Sequence, residues 1–385
     1  MEFASLEWYA MVANTINQLY LEELRRPADI GGVANWMHHA REGGKDADWI
    51  RARIKELDEW HHVHDKPAFV TLPRLVPSGS VFRTEGGGRF TAIEASDFNL
   101  FGRFMHEGAD AIEPILAERA SLGFNMLRVW GAYSGNPTFE GEIGHLIPGE
   151  HADYYDKLSQ FLNQCAAHKL YVEFTAFTAG PIPGHWEKCG DALRSVTNVI
   201  VELTNENDAH ASANLPDIQN YQPLAGIVCS HGSNGSQTTP PRPAWDYEVF
   251  HTNDAFEWWR KGGHNGMELS AGAEGMAASH KPVIANENTR PDRDGNLSHH
   301  EDAAAACALL IAGSCFHSQS GKRSALFTPA DRPFAEAHVR GARSVNLDMQ
   351  DGRYEHAGGL ETPDLLRVYQ KILPDGRRET VKIRK

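Results

Sequence analysis

Val199-Ile200-Val201-Glu202-Leu203-Thr204-Asn205-Glu206 and Lys281-Pro282-Val283-Ile284-Ala285-Asn286-Glu287 both run through aliphatic residues into the same dipeptide, Asn-Glu. Short apolar runs bounded by turn formers read as strands buried on both faces, the kind a parallel sheet needs. Working outward from these two, strand-like and helix-like segments alternate. The pattern predicts strands at Phe90–Ile93, Asn125–Trp130, Leu170–Phe174, Val199–Leu203, Ala225–Cys229, Tyr247–His251, Pro282–Ala285 and Cys315–His317. Helices are predicted at Ala111–Ser121, Ala152–His168, Ala255–Ser270 and Glu301–Ala312, with a short helical stretch before Val199. Eight strands with mostly helical connections is the arithmetic of a (β/α)8 TIM barrel. An open doubly wound sheet would alternate too, but no GxGxxG or GxxxxGK[ST] phosphate loop is present.

The flanks differ in period. Tyr9, Val12, Ile16, Leu19 and Tyr20 fall at helical spacing before Pro27. A second helix is predicted around Val33 to Glu42, stopped by Gly43-Gly44, and a third on Ile50, Ile54 and Leu57, capped by Asp46 or Asp48. Before the barrel, Val81–Thr84 and Arg89–Ile93 bracket Glu85-Gly86-Gly87-Gly88 as a hairpin. After it, Leu366–Tyr369 and Thr380–Ile383 alternate around Pro374-Asp375-Gly376, a second hairpin. The expected organisation is an all-helical module over 1–62, the barrel with its leading hairpin over 63–343, and a β-extension over 344–385.

Composition sets limits on partners. The 385 residues include 37 basic and 51 acidic ones, a net charge of −14, which disfavours nucleic acid and anionic lipid surfaces. The longest apolar stretch, Ala303 to Phe316, falls short of the roughly 20 residues that span a bilayer. Met1-Glu2-Phe3-Ala4 lacks the n- and h-regions of a signal peptide. The five cysteines are scattered without a CxxC, which argues against a disulfide framework and a structural zinc site; Cys307 and Cys315 read as buried small hydrophobes. Among 20 histidines, His61-His62-Val63-His64 reads as a solvated linker and Ser298-His299-His300-Glu301-Asp302 as a helix start capped by Ser298, and no HExxH occurs. No metal and no cofactor is expected.

By strand order the two Asn-Glu pairs end strands four and seven, at the end of a barrel where loops carry chemistry. Glu206 and Glu287, 81 residues apart in sequence, then approach across the mouth. Glycoside hydrolysis needs such a pair: one carboxylic acid protonates the leaving oxygen while the other attacks the anomeric carbon or activates water.

These residues resemble clan A of the glycoside hydrolases, the retaining barrels that include cellulase and mannanase families. The resemblance covers roughly Val81 to Ala342. It lies in Asn205-Glu206, Pro282 to Glu287, Gly123-Phe124-Asn125-Met126-Leu127-Arg128-Val129-Trp130 and Tyr247 to His251. It implies Glu206 as acid/base, Glu287 as nucleophile, Arg128 and His251 beside the nucleophile, and Asn205 on a sugar 2-hydroxyl. Two departures bear on the substrate: strand three ends without His, and Phe316-His317-Ser318 stands where the clan often has Trp. The segment Leu19-Tyr20 through Arg25-Arg26-Pro27-Ala28-Asp29 to Trp36 resembles a helical module of bacterial extracellular and phage-associated proteins, related to phycobilisome-linker-like domains. That likeness implies attachment rather than catalysis, and an extracellular or virion-associated setting.

Each residue also has a plainer reading. Glu206 and Glu287 sit among turn formers that a carboxylate can cap. Arg128, in an apolar strand, must meet a carboxylate, either a structural partner or Glu287. His251 is open between site and core, and His317 faces the mouth by the strand count. Trp130 and Trp186 follow strand ends and are candidate sugar platforms. The expected activity is that of a retaining β-glycosidase on a polysaccharide such as β-mannan or β-glucan. The rivals are a non-catalytic carbohydrate-binding or virion-attachment protein on a barrel scaffold, and a metal-assisted barrel hydrolase.

Overall fold

Strands whose every residue is buried, such as Met126–Trp130, Tyr171–Phe177 and Val199–Thr204, have no face for water and must be covered on both sides. A computed structural model describes residues 6–24, 30–43, 46–56, 71–134, 144–178, 180–205, 215, 220–232, 244–250, 281–292, 295–344, 353–356, 365–372 and 378–384. Eight parallel strands form a nearly closed barrel: β1 (Ala92–Ser96), β2 (Met126–Trp130), β3 (Tyr171–Phe177), β4 (Val199–Thr204), β5 (Cys229–Ser230), β6 (Glu248–Phe250), β7 (Val283–Thr289) and β8 (Gly313–Phe316). They pair in the order β5-β4-β3-β2-β1-β8-β7-β6, the order a (β/α)8 TIM barrel requires. At the seam between β5 and β6, Asp246 makes two bonds to Cys229. Its backbone N–H donates to the Cys229 carbonyl at 2.8 Å, and its carboxylate accepts from the Cys229 N–H at 2.9 Å.

Helices Leu100–Glu107, Ala109–Leu122, Tyr154–Ala167, His185–Leu193, Leu297–Leu310 and Arg332–Ser344 wrap the described strands. Their apolar faces meet the outward strand residues, for example Ile93, Leu127, Val172 and Val201, in one core. Helix Ala109–Leu122 stops at Gly123, whose φ of +103° suits glycine, and a Cβ there would meet the Arg343 guanidinium at 2.7 Å. The predicted helix Ala255–Ser270 lies outside the described residues.

Three differences from the predicted elements have local causes. The first barrel strand is Ala92–Ser96 rather than Phe90–Ile93, because Arg89–Phe90 pairs back onto Val81–Thr84 in a three-stranded sheet with Leu75–Ser78. Strand β7 continues through Asn286-Glu287 to Thr289. Four steps along it, from Ala285 to Thr289, match two on β8, from Ser314 to Phe316, so β7 bulges there. Helix Leu297–Leu310 is capped by Asn296, whose side chain accepts from the Ser298 N–H at 3.1 Å, instead of by Ser298.

Leu75, Phe82 and Phe90 of the small sheet pack with the lowest inward residues of the barrel, among them Met126, Tyr171, Ile200, Tyr247 and Ile284. This cluster closes the N-terminal end of the barrel as an apolar plug. The chain divides into compact units at Val70/Thr71. In the first, helices Leu6–Leu24, Ile30–Gly43 and Ala47–Ile54 bury Ile16, Leu19, Trp36, Ile50 and Ile54. There the Trp36 indole donates to the Tyr20 hydroxyl at 2.9 Å, and Asp46 caps the third helix. The C-terminal hairpin strands are longer than predicted, Leu365–Ile372 and Arg378–Arg384, and Arg353–His356 adds a third antiparallel strand. All five cysteines are buried and none is in a disulfide.

Candidate active site

Side chains alternate along a strand, so two residues above the plug each inward strand presents its next inward side chain. Above Ala92, Met126, Tyr171 and Ile200 these are Glu94, Arg128, Glu173 and Glu202, each wholly buried. The register agrees: Arg128 stands beside Glu173, and Thr175 beside Glu202. A guanidinium taken from water is costly unless it is paired and hydrogen-bonded. Arg128 donates to Glu202 Oε2 from Nε at 3.2 Å and from Nη2 at 2.8 Å, and Glu173 Oε2 lies 3.7 Å from its Nε. Its Nη2 also donates to Asn205 Oδ1 at 2.7 Å. The Thr175 hydroxyl donates to Glu202 Oε2 at 2.5 Å, and the Tyr247 hydroxyl donates to Glu173 Oε1 at 2.9 Å.

Among the described residues, three carboxyl groups therefore share the interior with one guanidinium. Burial, reinforced by the charge of Glu173, pushes Glu94 well above the usual carboxylate range and outweighs the opposing pull of Arg128. Burial likewise pushes Tyr247 well above the ordinary phenol value, which keeps its hydroxyl a donor.

Above the network lies an aromatic group. Phe98, just beyond β1, stacks on Trp130 with ring centres 4.1 Å apart and planes 10° apart, and His317 tilts against Phe98 at 5.0 Å. The guanidinium carbon of Arg128 lies 5.4 Å from the Phe98 ring centre. The loop carrying Phe98 is anchored by its neighbour Asp97, which receives a two-pronged bond from Arg119 at 3.0 Å for each oxygen. Burial pushes the Asp97 carboxyl up to about 6 against the pull of Arg119.

Of the residues singled out in the sequence, Arg128 and Asn205 are in direct contact, and Trp130 and His317 meet across Phe98. Asn205 follows the last residue of β4, and Glu287 belongs to β7. Glu206 and His251 lie outside the described residues, as does the side chain of Glu287. Trp186 is 4% exposed, packs against Trp245 and Tyr221, and gives its indole N–H to the Gln222 carbonyl at 2.8 Å, so it serves the core. One face of Trp130 is covered by Phe98. Among the described residues, Arg128 meets Glu202, Glu173, Asn205 and the ring of Phe98. Among the described residues no group of three or more metal-ligating side chains gathers.

Sequence reasoning passed over Glu94, Glu173, Glu202, Tyr247 and Phe98. A signal for the acids was present: each is a lone charge in an apolar strand, the same feature that drew attention to Arg128.

No family model and no curated protein matches the sequence. Solved structures share the fold. A glycoside hydrolase family 5 protein from Bacteroides vulgatus aligns with a TM-score of 0.51 at 14% identity, over 77% of this chain and 77% of its own. A structure named only as a glycoside hydrolase aligns with a TM-score of 0.52 at 14% identity, over 78% of this chain and 81% of its own. A further B. vulgatus chain aligns with a TM-score of 0.53 at 13% identity; the match covers 78% of this chain and 66% of that one. At these identities the likeness is one of fold.

Proposed function

We propose that this chain is a retaining β-glycosidase that hydrolyses a β-linked polysaccharide of the β-mannan or β-glucan type. The observation that carries the reading is the seat of Asn205. The residue before Glu206 leaves β4 with its amide oxygen held by Arg128 of β2, in a barrel plugged at its other end. The second Asn-Glu pair lies on β7, where the strand bulges against β8. Bulges re-aim side chains next to active sites. The eight-stranded fold shared with solved glycoside hydrolases is consistent with this chemistry.

In this reading Glu206 gives its proton to the glycosidic oxygen as the Glu287 carboxylate attacks the anomeric carbon. The C–O bond breaks and the alcohol leaves. Glu206, now ionised, takes a proton from water, whose oxygen attacks the same carbon and frees Glu287. Asn205 holds the sugar 2-hydroxyl and His251 supports the nucleophile, as the clan A resemblance implies. Trp130 and His317 line the base of the sugar site through Phe98, above the charged network. The chemistry calls for no metal or cofactor.

Glu287→Ala is expected to lower turnover of an aryl β-glycoside at least about a thousandfold, as loss of a nucleophile does. Azide should restore it and give a glycosyl azide of inverted configuration. A Glu287→Ala protein with wild-type turnover would sink the assignment. A chain that binds glycans but releases no reducing ends from β-mannan, β-glucan, xylan or chitosan would favour the carbohydrate-binding alternative.

A further inference from the structure

We infer that Glu202 is a positioning residue. Through Arg128 it orients the Asn205 amide so that the amide nitrogen is free to donate to the sugar hydroxyl beside the anomeric carbon. The identity of that hydroxyl rests on the glycosidase reading; the positioning itself rests on described atoms alone.

A guanidinium has five N–H donors and no acceptor. The Asn205 atom 2.7 Å from Arg128 Nη2 is therefore the amide oxygen, and the NH2 group is turned to the other side. Asn205 is only half-buried, and among the described residues its amide nitrogen meets no acceptor. Arg128 Nη2 carries two hydrogens. One serves Glu202 Oε2 at 2.8 Å and the other serves Asn205 Oδ1. Because the guanidinium is planar, fixing one of these directions fixes the other.

Among the described residues, Glu202 is the group that fixes it. Its Oε2 takes Nε and Nη2 of Arg128 together and is steadied by the Thr175 hydroxyl. A rival acid stands on the next strand: Glu173 Oε2 lies 3.7 Å from Nε, with its other oxygen tied to Tyr247. Remove the charge of Glu202 and the guanidinium is drawn toward Glu173, taking Nη2 off Asn205. Asn205 is then free to rotate, and the amide nitrogen loses its fixed aim. A Glu202 that merely neutralised Arg128 would act alike on every substrate. A Glu202 that aims Asn205 acts only where the substrate offers the matching hydroxyl.

The test compares an aryl β-glycoside with its 2-deoxy counterpart. Glu202→Gln is expected to lower kcat/KM about tenfold on the parent glycoside, the worth of one well-placed hydrogen bond. On the 2-deoxy substrate, and in an Asn205→Ala background, the same change should cost almost nothing. Equal penalties on both substrates that add to that of Asn205→Ala overturn the inference and leave the glycosidase reading intact. Should Glu202→Gln fail to fold, Thr175→Val removes the hydroxyl that steadies Glu202 and keeps the charge. It should show the same pattern at about threefold.

A readout without turnover separates the two claims. In protein labelled with 15N-asparagine, the Asn205 side-chain amide signal, assigned by its loss in Asn205→Ala, should shift in Glu202→Gln, or in Thr175→Val if that variant is used. If the wild type cleaves no glycoside but the signal shifts, the glycosidase reading falls and the link from Glu202 to Asn205 stands. An unmoved signal overturns the inference.

Discussion

The lowest layer of the barrel interior and the layer directly above it are built on the same strands, one side-chain alternation apart, and have opposite chemistry. Below, Ala92, Met126, Tyr171 and Ile200 join Phe82 and Phe90 in an apolar plug. Above, Glu94, Arg128, Glu173 and Glu202 form a fully buried charged network. The plug gains stability from every atom it removes from water. The network meets a desolvation cost that its ion pairs and hydrogen bonds must offset, and similar apolar residues would often be no less stable there. An arrangement that gives no clear gain in stability is explained by what it positions, and it leads directly to Asn205.

The contrast can be broken from either side. The largest effect on stability is expected at the floor. Phe82 is wholly buried and meets Tyr247 edge-on at 5.6 Å. Phe82→Ala should cost about 3–5 kcal/mol of unfolding free energy in urea titrations. That loss should vary little with pH, because Phe82 carries no charge to titrate and reaches the network only indirectly, through Tyr247 and its bond to Glu173. A loss that varied steeply with pH would mean that Phe82 holds the charged network in place through Tyr247.

A smaller, pH-dependent effect is expected above. Unfolded, Glu94 ionises near its ordinary value of 4.5; folded, it keeps its proton well above that. Across this window the native chain holds a proton that the unfolded chain has released. The contribution of Glu94 is therefore most favourable below 4.5 and is lost as pH rises toward its folded value, by up to about 1.4 kcal/mol per pH unit. Glu94→Gln cannot ionise and should flatten this part of the stability–pH curve. An unchanged slope in Glu94→Gln would show that the network does not hold the proton on Glu94.

Much of this architecture was legible in the chain, and the misses have physical causes. Apolar runs between turn formers located seven of the eight strands, because a strand buried on both faces has to be apolar nearly throughout; at β5 the predicted Ala225–Cys229 shares only Cys229 with the observed Cys229–Ser230. Strand ends were less legible. Arg89–Phe90 and Ala92–Ile93 look continuous in sequence, yet tertiary pairing assigns them to different sheets. Strand β7 outruns its apolar core through Asn286-Glu287-Asn288, residues that read as turn, because a bulge accommodates them beside β8. Arg128 showed that it needed a carboxylate, but spacing within one strand could not say which. Glu202 lay inside the stretch that decided the fold and was read as a strand residue, since a single acid among valines shows no partner until β2 and β3 stand beside it. Asn205, singled out in the sequence, follows β4 and meets Arg128.

The central claim is that Glu287 becomes covalently bonded to the sugar. It is tested most directly by incubating the protein with a 2-deoxy-2-fluoro β-glycoside bearing a good leaving group and mapping the labelled peptide by mass spectrometry. The fluorine slows release of the glycosyl-enzyme more than its formation, so the intermediate accumulates. The account predicts a single adduct, on Glu287. An adduct on any other carboxylate, Glu202 and Glu173 included, would contradict it.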